Sequence, residues 1–265
     1  MKRTIGLVCE GPRDMEMLED LLDLILPDDE ISYRYLQPEP SLLSTNYNGW
    51  KGVLRWCSRS CDEIIKANDS ILPGLDLLII QIDGDVSRDE QNKQSHCTCA
   101  ETGCDTRRQI TKEAVVCIED CVIPWKDCPI QYPCSHHAGQ EPERYIIHLK
   151  ELISDHLKSE IPFPVIISIP CDNMDAWIAA AFEEDELPFE QIEKPWQTVI
   201  AKKKTYHGIR VHKDQKSKEA YRHFRKGVVA NWEKVRNRCS QAQAFQDAID
   251  TAIKKDPYYG KSIRE

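Results

Sequence analysis

No stretch of the 265 residues approaches the roughly 18 uninterrupted apolar residues that a membrane-spanning helix needs. The opening MKRTIGLVCEGPRD is basic for three residues and then turns acidic, without the apolar run and small-residue cleavage site of a secretory signal. Together these absences predict a cytoplasmic protein with no membrane partner. Without export, the 12 cysteines are read as reduced thiols serving as core residues, metal ligands or redox groups rather than disulfides. No internal repeat is evident, and no nucleotide-binding Gly-rich loop supports phosphate transfer to small molecules. Net positive charge is also missing. The formal charge of −9 argues against a wholly basic nucleic-acid binder but leaves room for local basic surface.

What is present alternates between two periodicities. Thr4–Cys9 (TIGLVC) reads as a buried strand ended by Glu10-Gly11-Pro12. Met17, Leu18, Leu21, Leu22 and Ile25 then recur at helical spacing over Arg13–Leu26, and Pro27 stops that helix. Ile31–Leu36 is a second strand, and Trp50, Val53, Leu54, Cys57, Cys61, Ile64 and Ile65 trace one face of a second helix. Leu75–Ile82 (LDLLIIQI) has the near-continuous apolar character of a central parallel strand. Arg144–Leu157 is helical, and Val165–Ile169 is a further strand, after which Asp172 or Asn173 is expected to cap the next helix. Such βα alternation predicts an α/β fold with a mostly parallel sheet flanked by helices. The expected core spans 1–185, with a Cys/His-rich insertion at 86–140 and a basic, helical C-terminal extension at 186–265.

Function in open parallel sheets collects at the carboxyl ends of the strands. Three predicted strands end in acids here: Glu10, then Asp83 with Asp85, then Asp172 with Asp175. Gly84 between Asp83 and Asp85 lets both carboxylates turn toward one point, where their mutual repulsion calls for a cation. All-oxygen donors suit Mg²⁺ or Mn²⁺, which polarise phosphoryl oxygens and stabilise leaving ones. Taken singly, each acid is more simply a turn or capping residue. Their order along three strand ends is what points to a site.

With these elements in place the chain resembles the Toprim domain, the catalytic fold of topoisomerases, bacterial primases and overcoming-lysogenization-defect nucleases. Cys9-Glu10-Gly11-Pro12-Arg13-Asp14 matches the family's Glu-Gly element, and Ile82-Asp83-Gly84-Asp85 its Asp-x-Asp element. Asp175-Ala176-Trp177 resembles the acid-Ala-Trp helix start of small stand-alone members, some of which accompany an ATPase in phage defence. Those members usually carry Glu where Asp175 stands. The resemblance implies a Toprim-like fold and metal-dependent phosphodiester chemistry, with Glu10 as general acid/base and Asp83 and Asp85 holding Mg²⁺. Asp14 and Asp175 are secondary ligand candidates. The large tyrosine-bearing domain of a topoisomerase and the template-handling modules of a primase do not fit in this length, so a nuclease is the expected activity. The rival is a catalytically degenerate Toprim-like binding or regulatory subunit. Homo-oligomerisation is open.

Two features lie outside that core pattern. Residues 201–226 hold ten Lys or Arg against Asp214 and Glu219. Lys202, Lys203, Lys204, Arg210 and Lys213 lead the candidates for DNA or RNA phosphate contact, with Tyr206 and Tyr221 available for packing or base stacking. A basic group near the metal would also stabilise the phosphoryl transition state. The bland alternative is a solvated helix face. In the polar insertion, Cys97, Cys99, Cys104 and Cys134 are the first-choice ligands for a structural Zn²⁺, against unliganded loop cysteines. Cys57, Cys61, Cys117, Cys121, Cys9 and Cys171 are read as packing residues.

Overall fold

The computed structural model describes residues 1–38, 49–66, 74–86, 142–157, 161 and 163–254. The strands form where the sequence turns continuously apolar: β1 (Lys2–Val8), β2 (Glu30–Gln37), β3 (Leu77–Gln81) and β4 (Val165–Ser168). They make one parallel sheet in the order β2-β1-β3-β4, with β1 registered against both neighbours (Ile5 opposite Tyr33 and Leu77) and β3 against β4 (Ile80 opposite Ile167). Five residues of β3 in a row are buried, as expected for a strand covered on both faces.

The two faces follow from strand alternation. Ile5, Leu7, Leu77 and Ile79 point into one core, and Val8, Leu78, Ile80 and Ile82 into the other. Against the second face lie α2 (Trp50–Lys66), through Val53, Leu54 and Cys57, and α3 (Pro142–Leu157), through Ile146, Leu149 and Ile153. Gly6 fits beneath this layer because a Cβ there would come within 2.9 Å of the Leu36 and Leu75 side chains.

The first face takes α1 (Pro12–Ile25) and α4 (Asp175–Phe182) together with most of the C-terminal extension. A short helix α5 (Pro195–Thr198) and a two-stranded hairpin, β5 (Thr205–Tyr206) with β6 (Ile209–Arg210), lead into α6 (Lys218–Ala230), α7 (Trp232–Arg238) and α8 (Ser240–Lys254). The helical extension is broken at Cys239, which has extended backbone between α7 and α8. The break is satisfied from a distance: the Glu190 carboxylate accepts from the Ser240 and Gln241 amides at 2.7 and 2.9 Å, capping α8. The extension is therefore a layer of the same core. Trp177 of α4 is 0% exposed and packs edge-on to Trp232 at 5.6 Å and against Phe245 at 6.3 Å.

One contact between α4 and α6 gives a sharp test. A Cβ on Gly227 would lie 2.2 Å from Phe182 Cζ, and that ring sits edge-on to Phe224 at 5.4 Å. Gly→Ala inside a helix gains up to about 1 kcal/mol of propensity, but overpacking of this kind costs about 1–3 kcal/mol. Gly227→Ala is expected to destabilise on balance, as read by chemical denaturation. A net gain would show that the Phe182 ring swings clear.

Candidate metal-dependent active site

β1 delivers Glu10, β3 delivers Asp83 and Asp85, and the β4–α4 turn delivers Asp175, all at the carboxyl edge of the sheet. Glu10 and Asp83 are in direct contact: the Asp83 N–H donates to Glu10 Oε1 at 2.8 Å. Glu10 is held from behind as well, its carbonyl accepting from Gly49 N–H at 2.9 Å. Gly11 precedes Pro12, the first residue of α1, and the Asp14 carboxylate folds back over it: a Cβ on Gly11 would sit 3.3 Å from Asp14 Oδ2.

The Asp83-Gly84-Asp85 turn lies against the Pro170–Asp172 turn. Gly84 N–H donates to Pro170 O at 2.9 Å and Asp85 N–H to Asp172 O at 2.6 Å. Asn173 joins the two turns, its Nδ2 donating to Asp85 Oδ2 at 3.3 Å and its Oδ1 accepting from the Asp175 N–H at 3.0 Å. The residue before α4 is Met174, without a side-chain cap, so neither Asp172 nor Asn173 takes the N-cap position expected for the pair; Asn173 closes a local turn onto the Asp175 N–H instead. Asp172, with φ 56°, instead accepts from Lys194 N–H at 3.0 Å.

The carboxylates are close enough to disturb one another. Glu10 is pushed up to about 8, first by burial and then by the charges of Asp14 and Asp85, against the Asp83 and Trp50 amides that favour its ionised form. Burial, followed by Asp14, Glu10 and Asp85, drives Asp83 well above the usual carboxylate range. Asp14 rises to about 6 through burial and Asp175, with Lys216 opposing. Asp175, 2% exposed, is raised by burial against the pull of Lys216.

Folded values above unfolded ones have a definite sign. The fold holds these protons more tightly than the unfolded chain, so stability is greatest near the ordinary carboxyl range and is lost as pH climbs through about 6 and about 8. In EDTA, Tm at roughly pH 9 is expected below that at roughly pH 5, with a smaller drop in excess Mg²⁺. A Tm that rises over this interval would contradict the repulsion.

Two residues complete the site that strand-end reasoning did not isolate. Gln81 is the one polar side chain of β3 and is 0% exposed. Its Nε2 donates to Asp83 Oδ1 at 2.7 Å, and its Oε1 accepts from Glu10 N–H at 3.3 Å. A polar residue within LDLLIIQI is the signal that marks it. Lys216 reaches in from the C-terminal extension, with Nζ 2.5 Å from Asp175 Oδ2. In sequence it was one of ten basic residues with nothing to set it apart.

The other basic candidates stay outside. Lys202, Lys203, Lys204, Arg210 and Lys213 are exposed, around a hairpin whose turn residues His207 and Gly208 both have positive φ. Tyr206 and Tyr221 are buried, which removes base stacking and leaves packing. Cys9, Cys57 and Cys171 are buried, as read from their apolar settings. Cys97, Cys99, Cys104 and Cys134 lie outside the described residues, as do Cys117 and Cys121.

Among the described residues, no three His, Cys, Asp or Glu side chains are gathered closely enough to hold a metal ion as they stand. The donor set nonetheless fits a hard cation by its chemistry: Glu10, Asp83 and Asp85 offer only oxygens and are half-buried, and their charges oppose each other until something positive draws them in. Also among the described residues, no helix is long and apolar enough to cross a membrane. No family model, curated protein or solved structure matches the chain.

Proposed function

We propose that the chain is a Mg²⁺- or Mn²⁺-dependent nuclease of the Toprim type, hydrolysing phosphodiester bonds in DNA or RNA. The observation that carries this reading is the meeting of Glu10 with Asp83 and Asp85 at the carboxyl edge of a parallel sheet, with the Glu10 carboxyl held well above its ordinary range. Asp83 and Asp85 would hold the ion, which supplies polarisation of a phosphoryl oxygen and stabilisation of the leaving oxygen. Gln81 fixes the Asp83 carboxylate and the Glu10 main chain relative to each other. Glu10, which in the metal-free chain holds its proton more tightly than an ordinary carboxyl, is the group to exchange a proton with the attacking water or the departing oxygen. Exposed Lys202, Lys203, Lys204, Arg210 and Lys213 would contact the phosphate backbone. By resemblance to small stand-alone members, activity would be licensed by a partner ATPase.

A second reading, a regulatory subunit that binds without cutting, is favoured by Asp175, which is engaged by Lys216 rather than offered to an ion. One experiment separates the two. Plasmid, single-stranded DNA and tRNA are incubated with Mg²⁺, Mn²⁺ or EDTA beside Glu10→Ala and a Lys202→Ala/Lys203→Ala/Lys204→Ala variant. The nuclease reading expects metal-dependent products lost in Glu10→Ala. It also expects weaker binding by the triple variant, with the salt slope reduced by about 2–3. Binding without products supports the regulatory subunit, and cleavage unchanged in Glu10→Ala defeats the site.

A further inference from the structure

Lys216 is built into the site differently from the lysines around it. Lys202, Lys203, Lys204, Lys213 and Lys218 are exposed, whereas the Lys216 side chain is 30% exposed and its ammonium meets a carboxylate that is 2% exposed. Bringing an ammonium out of water is costly and is tolerated only where partners are fixed. They are fixed here at both ends of the residue. The Nζ lies 5.6 Å above the Trp196 ring, and the Lys216 carbonyl accepts from the Arg13 guanidinium. Ser217, next in the chain, caps α6 by accepting from the Ala220 N–H at 3.1 Å. The lysine therefore joins the starts of α1, α4 and α6, where Asp14 and Asp175 also stand in first helical turns.

We propose that Lys216 takes the place that a second divalent ion would otherwise fill, so that the chain binds one Mg²⁺ or Mn²⁺ through Asp83 and Asp85 and leaves Asp14 and Asp175 to the lysine. This rests on the metal-dependent reading above. An ion bridging Asp14 and Asp175 would have to expel an ammonium already seated on Asp175 Oδ2. Glu10 and Asp83 are linked to each other independently of that contact, through the Asp83 N–H that the Glu10 carboxylate accepts. Lys216 is thereby a positioning residue that sets how many ions the cluster takes.

The test counts Mn²⁺ bound by the full-length chain at saturation and neutral pH, from the electron spin resonance of free Mn²⁺. Wild type and Lys216→Arg are expected to bind one ion, Lys216→Met two, and Lys216→Met/Asp175→Asn one again. Two ions on the wild type, or still one on folded Lys216→Met, would overturn the assignment. No ion on the wild type would instead refute the metal-dependent reading itself. Should Lys216→Met not fold, Lys216→Gln takes its place, with two ions expected and one ion overturning the assignment.

Discussion

Asp83→Asn is expected to raise the melting temperature of the metal-free protein while abolishing metal binding and cleavage. Asp83 is the carboxylate most beset by its surroundings, with burial, Asp14, Glu10 and Asp85 all opposing its charge. The amide removes that charge without disturbing shape, since its Oδ1 can still accept from Gln81 Nε2. Relief of one buried, repelled charge is worth about 1–3 kcal/mol, the ordinary span of single substitutions but with inverted sign. In a chain of this size each kcal/mol moves Tm by about 2–4 °C. If Asp83 holds the proposed ion, the same change deletes an anionic ligand, and cation affinity should fall more than about 100-fold. Differential scanning fluorimetry in EDTA and Mn²⁺ titration read the two effects separately. A lowered Tm together with intact cleavage would remove both the crowding and the role of Asp83. Stability gained where activity is lost is the mark of a site kept under tension for its chemistry.

Gly84→Ala is expected to damage fold and site together. Gly84 does not have a positive φ, so the demand is for space rather than backbone freedom. A Cβ there would lie 2.7 Å from Pro170 O, 3.2 Å from Asp172 N and 3.4 Å from Cys171 Cα. All three are backbone atoms, so no side chain can rotate out of the way. The turns after β3 and β4 must separate, and with them go the Gly84-to-Pro170 and Asp85-to-Asp172 hydrogen bonds. Overpacking against main chain costs about 1–3 kcal/mol, and Asp85 is carried away from Asn173 as well as from Asp83. A drop in denaturation midpoint accompanied by at least a roughly tenfold loss of Mn²⁺ affinity is the expected result. Wild-type affinity in Gly84→Ala would mean that the two turns move as a unit and that their contact does not hold the ligands.

The acids of this edge were legible because their positions follow from local rules. An apolar run long enough for a buried parallel strand has to end somewhere, and Glu10 and Asp83 are the first polar residues past β1 and β3. Gln81 was missed because a strand that reads as wholly apolar invites no question about its one polar member, although a buried amide needs partners and so advertises them. Lys216 could not be found by any local rule. It lies 41 residues from Asp175 in sequence, and only the return of the chain over α1 and α4 brings the two together. The basic stretch was legible in part: its composition recorded the charge that Lys202, Lys203 and Lys204 carry into water, but not that Tyr206 and Tyr221 face inward and pack. The helix break at Cys239 was hidden because its cap, Glu190, comes from a distant loop.

Because Arg13 grips the Lys216 carbonyl and Arg225 bridges Glu16 and Asp20, the last third of the polypeptide is bolted to the first helix. Cutting the chain down to the α/β portion would not give a smaller working unit. It would bare Trp177 and the alanines beside it to water and take away the only lysine seated among the acids, among the described residues. Engineering of this protein therefore has to keep head and tail together and leave the joint between them untouched.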